Sequence, residues 1–293
     1  MRGAQLLLLC AVVIWGWTFV ATKICLAYMS PIELLGLRLL IAVPVLVVLA
    51  VLRGSVRPLR LPLRPVLLGS MLIGVHFYIQ ITGLEYTTAT NTGWIIAVTP
   101  VVLALASHLI LGERVSRGLA YGILVATLGI VVLISGGRLT DLGWLGSVGD
   151  WLILASAHTW ALYTIAVRGL ARSENPLVVT IAVLLPATLV SAVILLFVSD
   201  GSKFLHLPAD ALFALLFLGV FGMALAHWFW QIGVARVGAA RAGVFLYLEP
   251  LATTALAVPY LGEPFGIATL VGGALVLLGV WIARSRATAR RKS

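Results

Sequence analysis

Two charged side chains lie inside long apolar segments of this 293-residue chain. Glu249 lies about ten residues into one segment, directly before Pro250, and Arg38 lies about six residues into another. A carboxylate inside a bilayer costs about 2.5–3.5 kcal/mol or more, so it must be paired, protonated or in contact with water. Glu249 is therefore a candidate proton carrier, and Arg38 is a candidate partner for a substrate carboxylate.

Both charges also have structural interpretations. Glu249 could pair with Arg38 or bond to backbone groups that Pro250 leaves free. Arg38 could instead pair with Glu33 or extend toward the end of its segment. Prolines in the middle of a segment remove helix hydrogen bonds and bend the helix, so Pro100 and Pro250 are predicted hinges beside a site.

Aromatic and hydrogen-bonding side chains cluster in the middle of other apolar segments, where interfacial aromatic belts do not predict them. Ordinary helix packing is the alternative, with each histidine bonded to a nearby carbonyl. Residues two apart on a helix lie on different sides, so Tyr78 and His76 do not face the same way. The predicted substrate-binding side chains are Trp17, His76, Tyr78, His158, Tyr163, His227, Trp228, Trp230 and Gln231.

The composition indicates that these segments lie in a bilayer. Apolar residues make up 61% of the chain and the mean hydropathy is +1.12, whereas soluble domains contain about 45–50% apolar residues. The formal charge of +10 does not indicate nucleic acid, because the basic residues lie beside apolar segments and set their orientation. The expected partners are the lipid bilayer and a small-molecule substrate.

Ten segments are long enough to cross a bilayer. The first follows Arg2 as a signal sequence would, but it is long and lacks a small-residue cleavage site, so we expect it to be retained. The sequence thus predicts an all-α polytopic membrane protein with short connections. The predicted spans are roughly 4–27, 32–52, 65–84, 90–111, 116–135, 149–168, 176–198, 211–232, 239–260 and 265–284.

The chain contains an internal repeat. Adding 150 to the numbers of Gly93, Pro100 and Gly129 leads to the same residue types, and upstream an offset of 145 relates Trp15 to Trp160. Glycine and proline dominate the matches, which indicates that the halves share a fold. Symmetric halves in an apolar chain are typical of membrane transporters.

The halves, residues 1–143 and 144–293, hold five predicted spans each, and the second ends in a basic tail. Because five is an odd number, the second half must enter the membrane in the opposite sense. The sequence therefore predicts two inverted five-helix repeats. Exchanging the roles of the repeats gives two conformations of similar energy, which open a central site to opposite sides.

Lysine and arginine predict the orientation. With the N-terminus in the cytoplasm, the outer loops carry only Arg138 and Lys203, and Lys23 lies near the outer end of the first span. The other basic residues, including those of the tail, then lie on the cytoplasmic side. This bias places both termini in the cytoplasm.

Glycines on the fifth and tenth predicted spans indicate close helix contacts. Gly118 and Gly122 form a G-x-x-x-G step, and Gly272, Gly273 and Gly279 lie on the tenth span. These residues either pack the two spans together or support a dimer. We expect a monomer or a homodimer.

No motif in the sequence predicts an enzyme. The patterns G-x-x-x-x-G-K-[ST], H-E-x-x-H and G-x-S-x-G are absent, and no Cys/His cluster occurs. We therefore predict no catalytic residue, no metal and no cofactor.

Short signatures lie within or beside several predicted spans. They are Ile14–Lys23, Ser30-Pro31, Leu37-Arg38, Leu111-Gly112-Glu113 and its echo Leu261–Pro264. In this order the sequence resembles the EamA-type carriers of the drug/metabolite transporter superfamily, over essentially the whole chain. The resemblance implies a ten-helix carrier of the inner (plasma) membrane with both termini cytoplasmic.

Members of that family export amino acids, including aromatic ones, and other small metabolites. The second half departs from the family pattern, because Trp160-Ala161-Leu162 replaces Trp-Gly-aromatic and Val183 stands where Arg38 would recur. The resemblance therefore does not imply that both halves bind substrate alike.

The expected function is secondary active export of small amphipathic metabolites, such as aromatic amino acids, by alternating access through a central cavity. A nucleotide-sugar or organic-phosphate exchanger is the alternative, but only Arg38 and Lys23 could bind several negative charges. A facilitative channel or an intramembrane enzyme is less favoured, because the sequence has no continuous polar stripe and no nucleophile paired with a base. The substrate, the direction of flux and the coupling ion stay open.

Overall fold

The computed structural model describes residues 2–55, 61–111, 117–138, 147–237, 242–243 and 245–289, and within these ranges the chain is helical and has no strand. The predicted boundary between the halves at Gly143, the Gly112-Glu113 pair and the tail residues 290–292 lie outside the described residues. So do the first residues of the predicted fifth and ninth spans.

The helices carry the following bounds. In the first half they are α1 Arg2–Leu26, α2 Pro31–Leu52, α3 Leu63–Tyr86, α4 Ala89–Ile96, α5 Thr99–Leu111 and α6 Arg117–Ile134. In the second half they are α7 Val148–Ser173, α8 Pro176–Val198, α9 Ala209–Leu216, α10 Ala226–Val237, α11 Glu249–Leu261 and α12 Ile267–Ala289. A π-helix, Phe217–Leu225, joins α9 to α10, and short 3-10 turns occupy Gly201–His206 and Phe245–Leu248.

Six helices of the described chain are long and apolar enough to cross a membrane. They are Gly3–Leu26, Pro31–Leu52, Leu63–Tyr86, Ala89–Ile110, Pro176–Val198 and Ala209–Val237. Shorter apolar helices cover Ala120–Ile134, Phe245–Leu261 and Ile267–Gly279. The chain is thus a multi-pass membrane protein, and the residues that the structure describes form helices and the turns between them.

Two of the predicted spans are interrupted in their middle. The fourth stops at Ile96, and α5 begins with Thr99-Pro100 after a break of two residues. In the second half, α11 begins with Glu249-Pro250 after a 3-10 turn. Proline suits the first turn of a helix, because the N–H that it lacks would have no helical partner there. Both prolines therefore begin a new helix segment.

The two halves interleave. α1 packs against α10 and α11, and α3 packs against α7 and α8, so each helix has its main neighbours in the other half. The largest buried apolar cluster draws on both halves as well; Leu8, Leu34 and Ile73 belong to it together with Leu184 and Leu218. The core is therefore shared and does not divide into two bundles.

Glycines bring α6 and α12 into backbone contact. A Cβ atom added at Gly129 would lie 2.7 Å from the carbonyl oxygen of Gly272, and one added at Gly279 would lie 2.6 Å from that of Gly122. Any side chain at these positions would force the helices apart. Gly122, Gly272 and Gly279 thus take part in packing within the chain.

Candidate functional site

A cavity lies at the centre of the helices, beside both interrupted spans. It contains about 400 Å³ of empty space, part of which is open to the surroundings. Eleven side chains line it: Trp15, Thr18, Phe19, His76, Phe77, Gln80, Ile96, Thr99, Trp160, Leu246 and Glu249. The lining is largely apolar and aromatic, with a few polar groups, as is common for small-molecule sites.

The restart of the ninth span positions Glu249. Its side chain is only 4% exposed, and its carboxylate has no hydrogen bond or ion pair with the residues that the structure describes. Two glycines let neighbouring helices approach this turn: a Cβ atom at Gly16 would lie 2.8 Å from the Glu249 carbonyl oxygen, and one at Gly93 would lie 3.2 Å from Cα of Pro250. The backbone of this turn is thus closely packed, and the Glu249 side chain lines the cavity.

Repeat-related residues contact one another around the cavity. The indole rings of Trp15 and Trp160, which an offset of 145 relates, have centroids 5.2 Å apart. Phe77 and His227 are related by an offset of 150, which also relates Gly83 to Gly233. Their ring centroids lie 5.4 Å apart. Two equivalent residues can touch only near the axis that relates the halves. The cavity therefore lies where the halves meet.

Backbone carbonyls fix the tautomers of the two buried histidines. Nδ1 of His76 lies 2.9 Å from the carbonyl oxygen of Ser156, and Nδ1 of His227 lies 3.0 Å from that of Gly222. A carbonyl oxygen only accepts, so Nδ1 carries the hydrogen in both rings. Nε2 is left as the free acceptor, and for His227 this atom has no partner among the described residues.

The π-helix Phe217–Leu225 supplies the carbonyl that orients the rings of Trp15 and His227. The Gly222 oxygen accepts a hydrogen bond from Nε1 of Trp15 at 3.1 Å as well as the bond from His227. π-helical turns are rare and frequently occur at functional sites. Here the wider turn holds the Trp15 indole against the cavity.

Arg38 is buried beside the cavity and does not line it. The side chain is 2% exposed, its guanidinium carbon lies 4.5 Å from the centre of the Phe77 ring, and Nε has no hydrogen-bond partner in the described part of the chain. The Glu33 carboxylate accepts hydrogen bonds from Ser30 and Ser199. Within the described residues Arg38 forms no ion pair with Glu33 or with Glu249.

The structure brings six of the predicted site residues to the centre. His76 and Glu249 line the cavity. Gln231 is buried and donates a hydrogen bond to the Tyr163 hydroxyl at 3.1 Å. The remaining two, His227 and Trp230, pack against Trp15 and Trp160.

The other predicted binding residues lie elsewhere. Trp17 and Tyr78 are 42% and 46% exposed, on the outer surface of the helices. His158 is exposed and bonds to the carbonyl of Leu154 in its own helix. Trp228 is buried but stacks under Arg53. Their predicted role in binding has no support from this geometry.

Several lining residues were absent from the predicted set. Gln80 lies one helical turn after both His76 and Phe77 on α3, so helical spacing from His76 could have indicated it. Ile96 and Leu246 are apolar and carry no chemical signal, although the repeat offset relates them to each other. Thr99 is the counterpart of Glu249 under the same offset. Applying the repeat to each candidate residue would have found these pairs.

Polar contacts close the corner where α3 ends and α4 begins. Nζ of Lys23 donates to the carbonyl oxygens of Leu84 and Thr87, both at 2.9 Å. The Thr87 hydroxyl donates to Asp150. The Glu263 carboxylate accepts from the first two amides of α4, at 2.7 and 2.8 Å, and so caps that helix. This corner is tied to α1, α7 and the end of α11.

The fold and the cavity define a helical membrane protein with a buried central site formed by two related halves. The profile of the EamA-like transporter family matches the chain twice, over residues 2–135 and 147–285. The chain therefore belongs to the EamA-like transporter family, within the drug/metabolite transporter superfamily.

Known relatives are also described as transporters. An uncharacterized transporter of Bacillus subtilis, YyaM, is 26% identical over 271 residues, which cover 90% of this chain and 88% of the relative. A probable terminal-alkyne amino-acid exporter of Streptantibioticus cattleyicolor is 28% identical over 211 residues, covering 72% and 69%. A solved crystal structure has the same fold, with a TM-score of 0.73, 23% identity and full coverage of both chains.

Proposed function

We propose that this protein is a secondary active transporter that exports small amphipathic metabolites, such as aromatic amino acids, by alternating access through the central cavity. The observation that carries the proposal is the position of this cavity between repeat-related residues, at the interruption of two spans. Interrupted helices at a repeat interface are where secondary carriers bind substrates. The likeness to an amino-acid exporter supports the substrate class.

The proposed architecture is ten spans in two inverted repeats, residues 1–143 and 144–293. The contacts between Trp15 and Trp160 and between Phe77 and His227 support an axis through the cavity. Because each half has five spans, the proposed axis lies in the membrane plane. The proposed location is the cell's inner membrane, with both termini in the cytoplasm. Pro100 and Pro250 are the proposed hinges, since each begins the helix that leaves the cavity.

Glu249 is the proposed proton carrier. Its carboxylate faces the cavity without a fixed partner, so it can take up a proton or bind a cationic group of the substrate. His76 offers Nε2 as a hydrogen-bond acceptor in the same cavity. The aromatic rings of Trp15 and Trp160 would pack against the apolar part of the substrate.

An exchanger of nucleotide sugars or organic phosphates fits the cavity less well. None of the eleven lining side chains is a lysine or an arginine. Lys23 is engaged by two backbone carbonyls at another corner of the molecule. A multiply charged phosphate requires several basic donors, and a single neighbouring Arg38 does not supply them.

Counterflow into sealed proteoliposomes tests the proposal. Vesicles that contain the purified protein are loaded with unlabelled L-phenylalanine and exposed to a trace of labelled L-phenylalanine. A carrier accumulates label transiently, because the internal substrate drives exchange. Equal uptake with and without internal substrate would indicate a channel, and chemical conversion of the label in detergent would indicate an enzyme.

One chain contains the whole cavity, so a monomer suffices, and a homodimer would contain two independent sites.

A further inference from the structure

We propose that Arg38 binds a single carboxylate of the transported molecule, in a pocket that the Phe77 ring covers in this structure. The proposal rests on the proposed function, because it names the group by which the substrate is held. It assigns a role to a residue that does not line the cavity as it stands.

Arg38 is a buried cation with an N–H donor, at Nε, that forms no hydrogen bond within the described residues. The Arg38 side chain is 2% exposed and Nε has no hydrogen-bond partner among the described residues. A buried charge is costly unless it is paired and its hydrogen-bonding groups are satisfied. The stacking of the guanidinium on the Phe77 ring, at 4.5 Å, offsets part of the charge but satisfies no N–H group. A carboxylate would supply the partner that Nε lacks.

The second observation is the position of Phe77. Its ring lies against the Arg38 guanidinium and also lines the cavity, so it separates the cation from the cavity. The ring of His227 contacts Phe77 from another helix, with centroids 5.4 Å apart, and Nε2 of His227 is also without a partner in the described part of the chain. Two buried nitrogens without a partner among the described residues thus adjoin the Phe77 ring.

The number and kind of groups define the ligand. A planar guanidinium binds a carboxylate through two parallel hydrogen bonds, and one guanidinium matches one negative charge. Glu249, in the lining of the adjoining cavity, would bind a cationic group of the same molecule. In the neutral form of His227 the hydrogen is on Nδ1, so Nε2 is an acceptor and does not bind the carboxylate. It can accept a hydrogen bond from an N–H or O–H group of the substrate.

Binding of an acid and its amide separates a charge-pairing role from a structural one. L-phenylalanine and L-phenylalaninamide are titrated into the full-length protein in detergent, and the fluorescence of the cavity tryptophans reports binding. The variants are Arg38→Gln, which removes the charge, and Arg38→Lys, which keeps it. We expect the wild type to prefer the acid by about tenfold or more. Arg38→Gln should abolish this preference by weakening the acid alone, and Arg38→Lys should keep part of it.

Equal weakening of acid and amide in Arg38→Gln, or a wild type that binds both equally, would overturn the assignment of Arg38. If neither L-phenylalanine nor L-phenylalaninamide binds, the proposed substrate class fails. A second measurement then tests the role of Arg38 separately. Phenylglyoxal modifies arginine, and peptide masses report the modified fraction of Arg38. We expect slow modification in the wild type, faster modification in Phe77→Leu, and protection of Phe77→Leu by benzoate. Equal rates in the two proteins, or no protection by benzoate, would show that Phe77 does not cover an anion site.

Discussion

At the crossing of α6 and α12 the two repeats present the same residues to each other. Gly129 of the first repeat meets Gly272 of the second, and Gly279 of the second meets Gly122 of the first. Each contact is the image of the other under the offset of 150. The crossing is a structural contact that needs only the residues that both repeats share.

At the cavity the repeats share a frame but differ in chemistry. Trp15 and Trp160 are the same residue on both sides, whereas Thr99 of the first repeat corresponds to Glu249 of the second. Two halves with the same backbone can thus place a single carboxylate at the cavity, because the equivalent position in the first half holds a threonine. An asymmetric substrate needs such a difference, so the residues that differ are the better candidates for recognition.

Substitution at the crossing should have the largest effect on folding. In Gly279→Leu the new side chain meets backbone atoms of α6, since even a Cβ atom would lie 2.5 Å from the nitrogen of Ala126. Overpacking of this kind costs about 1–3 kcal/mol or more, and we expect the upper end because backbone cannot move aside. Thermal unfolding in detergent measures the loss. Gly169→Leu is the control, because nothing lies within 4 Å of that position; equal destabilisation of the two variants would refute the tight crossing.

Making the cavity symmetric should remove transport while leaving the fold intact. Glu249→Thr gives the second repeat the residue of the first. We expect counterflow of L-phenylalanine to fall by roughly 10- to 100-fold, the ratio that about 1.5–3 kcal/mol of a charged hydrogen bond corresponds to. Glu249→Gln should lose the pH dependence of transport as well. Transport that survives both changes with its pH profile intact would remove Glu249 from the site.

Lys23 and Arg168 are repeat-related and have different environments. Lys23 donates to the carbonyls of Leu84 and Thr87, whereas Arg168 makes no side-chain hydrogen bond to the described residues. We expect Lys23→Met to lower the free energy of unfolding by about 1–3 kcal/mol, the cost of two unsatisfied carbonyls. Arg168→Met should change it by about 0.5 kcal/mol or less. Similar losses for both variants, measured by thermal unfolding, would contradict the asymmetry.

The smallest effect should follow from exchanging His227 for its counterpart. His227→Phe keeps an aromatic ring against Trp15 and Phe77 but loses the hydrogen bond to Gly222. The expected loss of unfolding free energy is about 1 kcal/mol. His158→Phe is the matched control at an exposed position, and its unfolding temperature should stay close to that of the wild type.

The sequence predicted the positions of several helices closely, because length and apolarity determine them. The predicted spans 32–52 and 176–198 agree closely with Pro31–Leu52 and Pro176–Val198. It also predicted correctly that His76 and Tyr78 face different ways, since that follows from helix geometry alone.

The sequence could not predict which face of each helix is buried. Trp15 and Trp17 lie two residues apart in one apolar helix, yet the first lines the cavity and the second is 42% exposed. Lipid and protein core are both apolar, so a membrane helix has no strong polar face to mark its exterior. The interleaving of the halves also depends on contacts between residues far apart in sequence, which local patterns do not report.

Labelling of a cysteine at the cavity tests the central claim most directly. Thr99→Cys, in a background with Cys10→Ala and Cys25→Ala, places one thiol where the repeats meet, and a membrane-impermeant thiol reagent is applied from either side of sealed vesicles. We expect labelling from both sides, and saturating substrate should change the two rates in opposite directions. Labelling from one side alone, unaffected by any transported molecule, would contradict alternating access through this cavity.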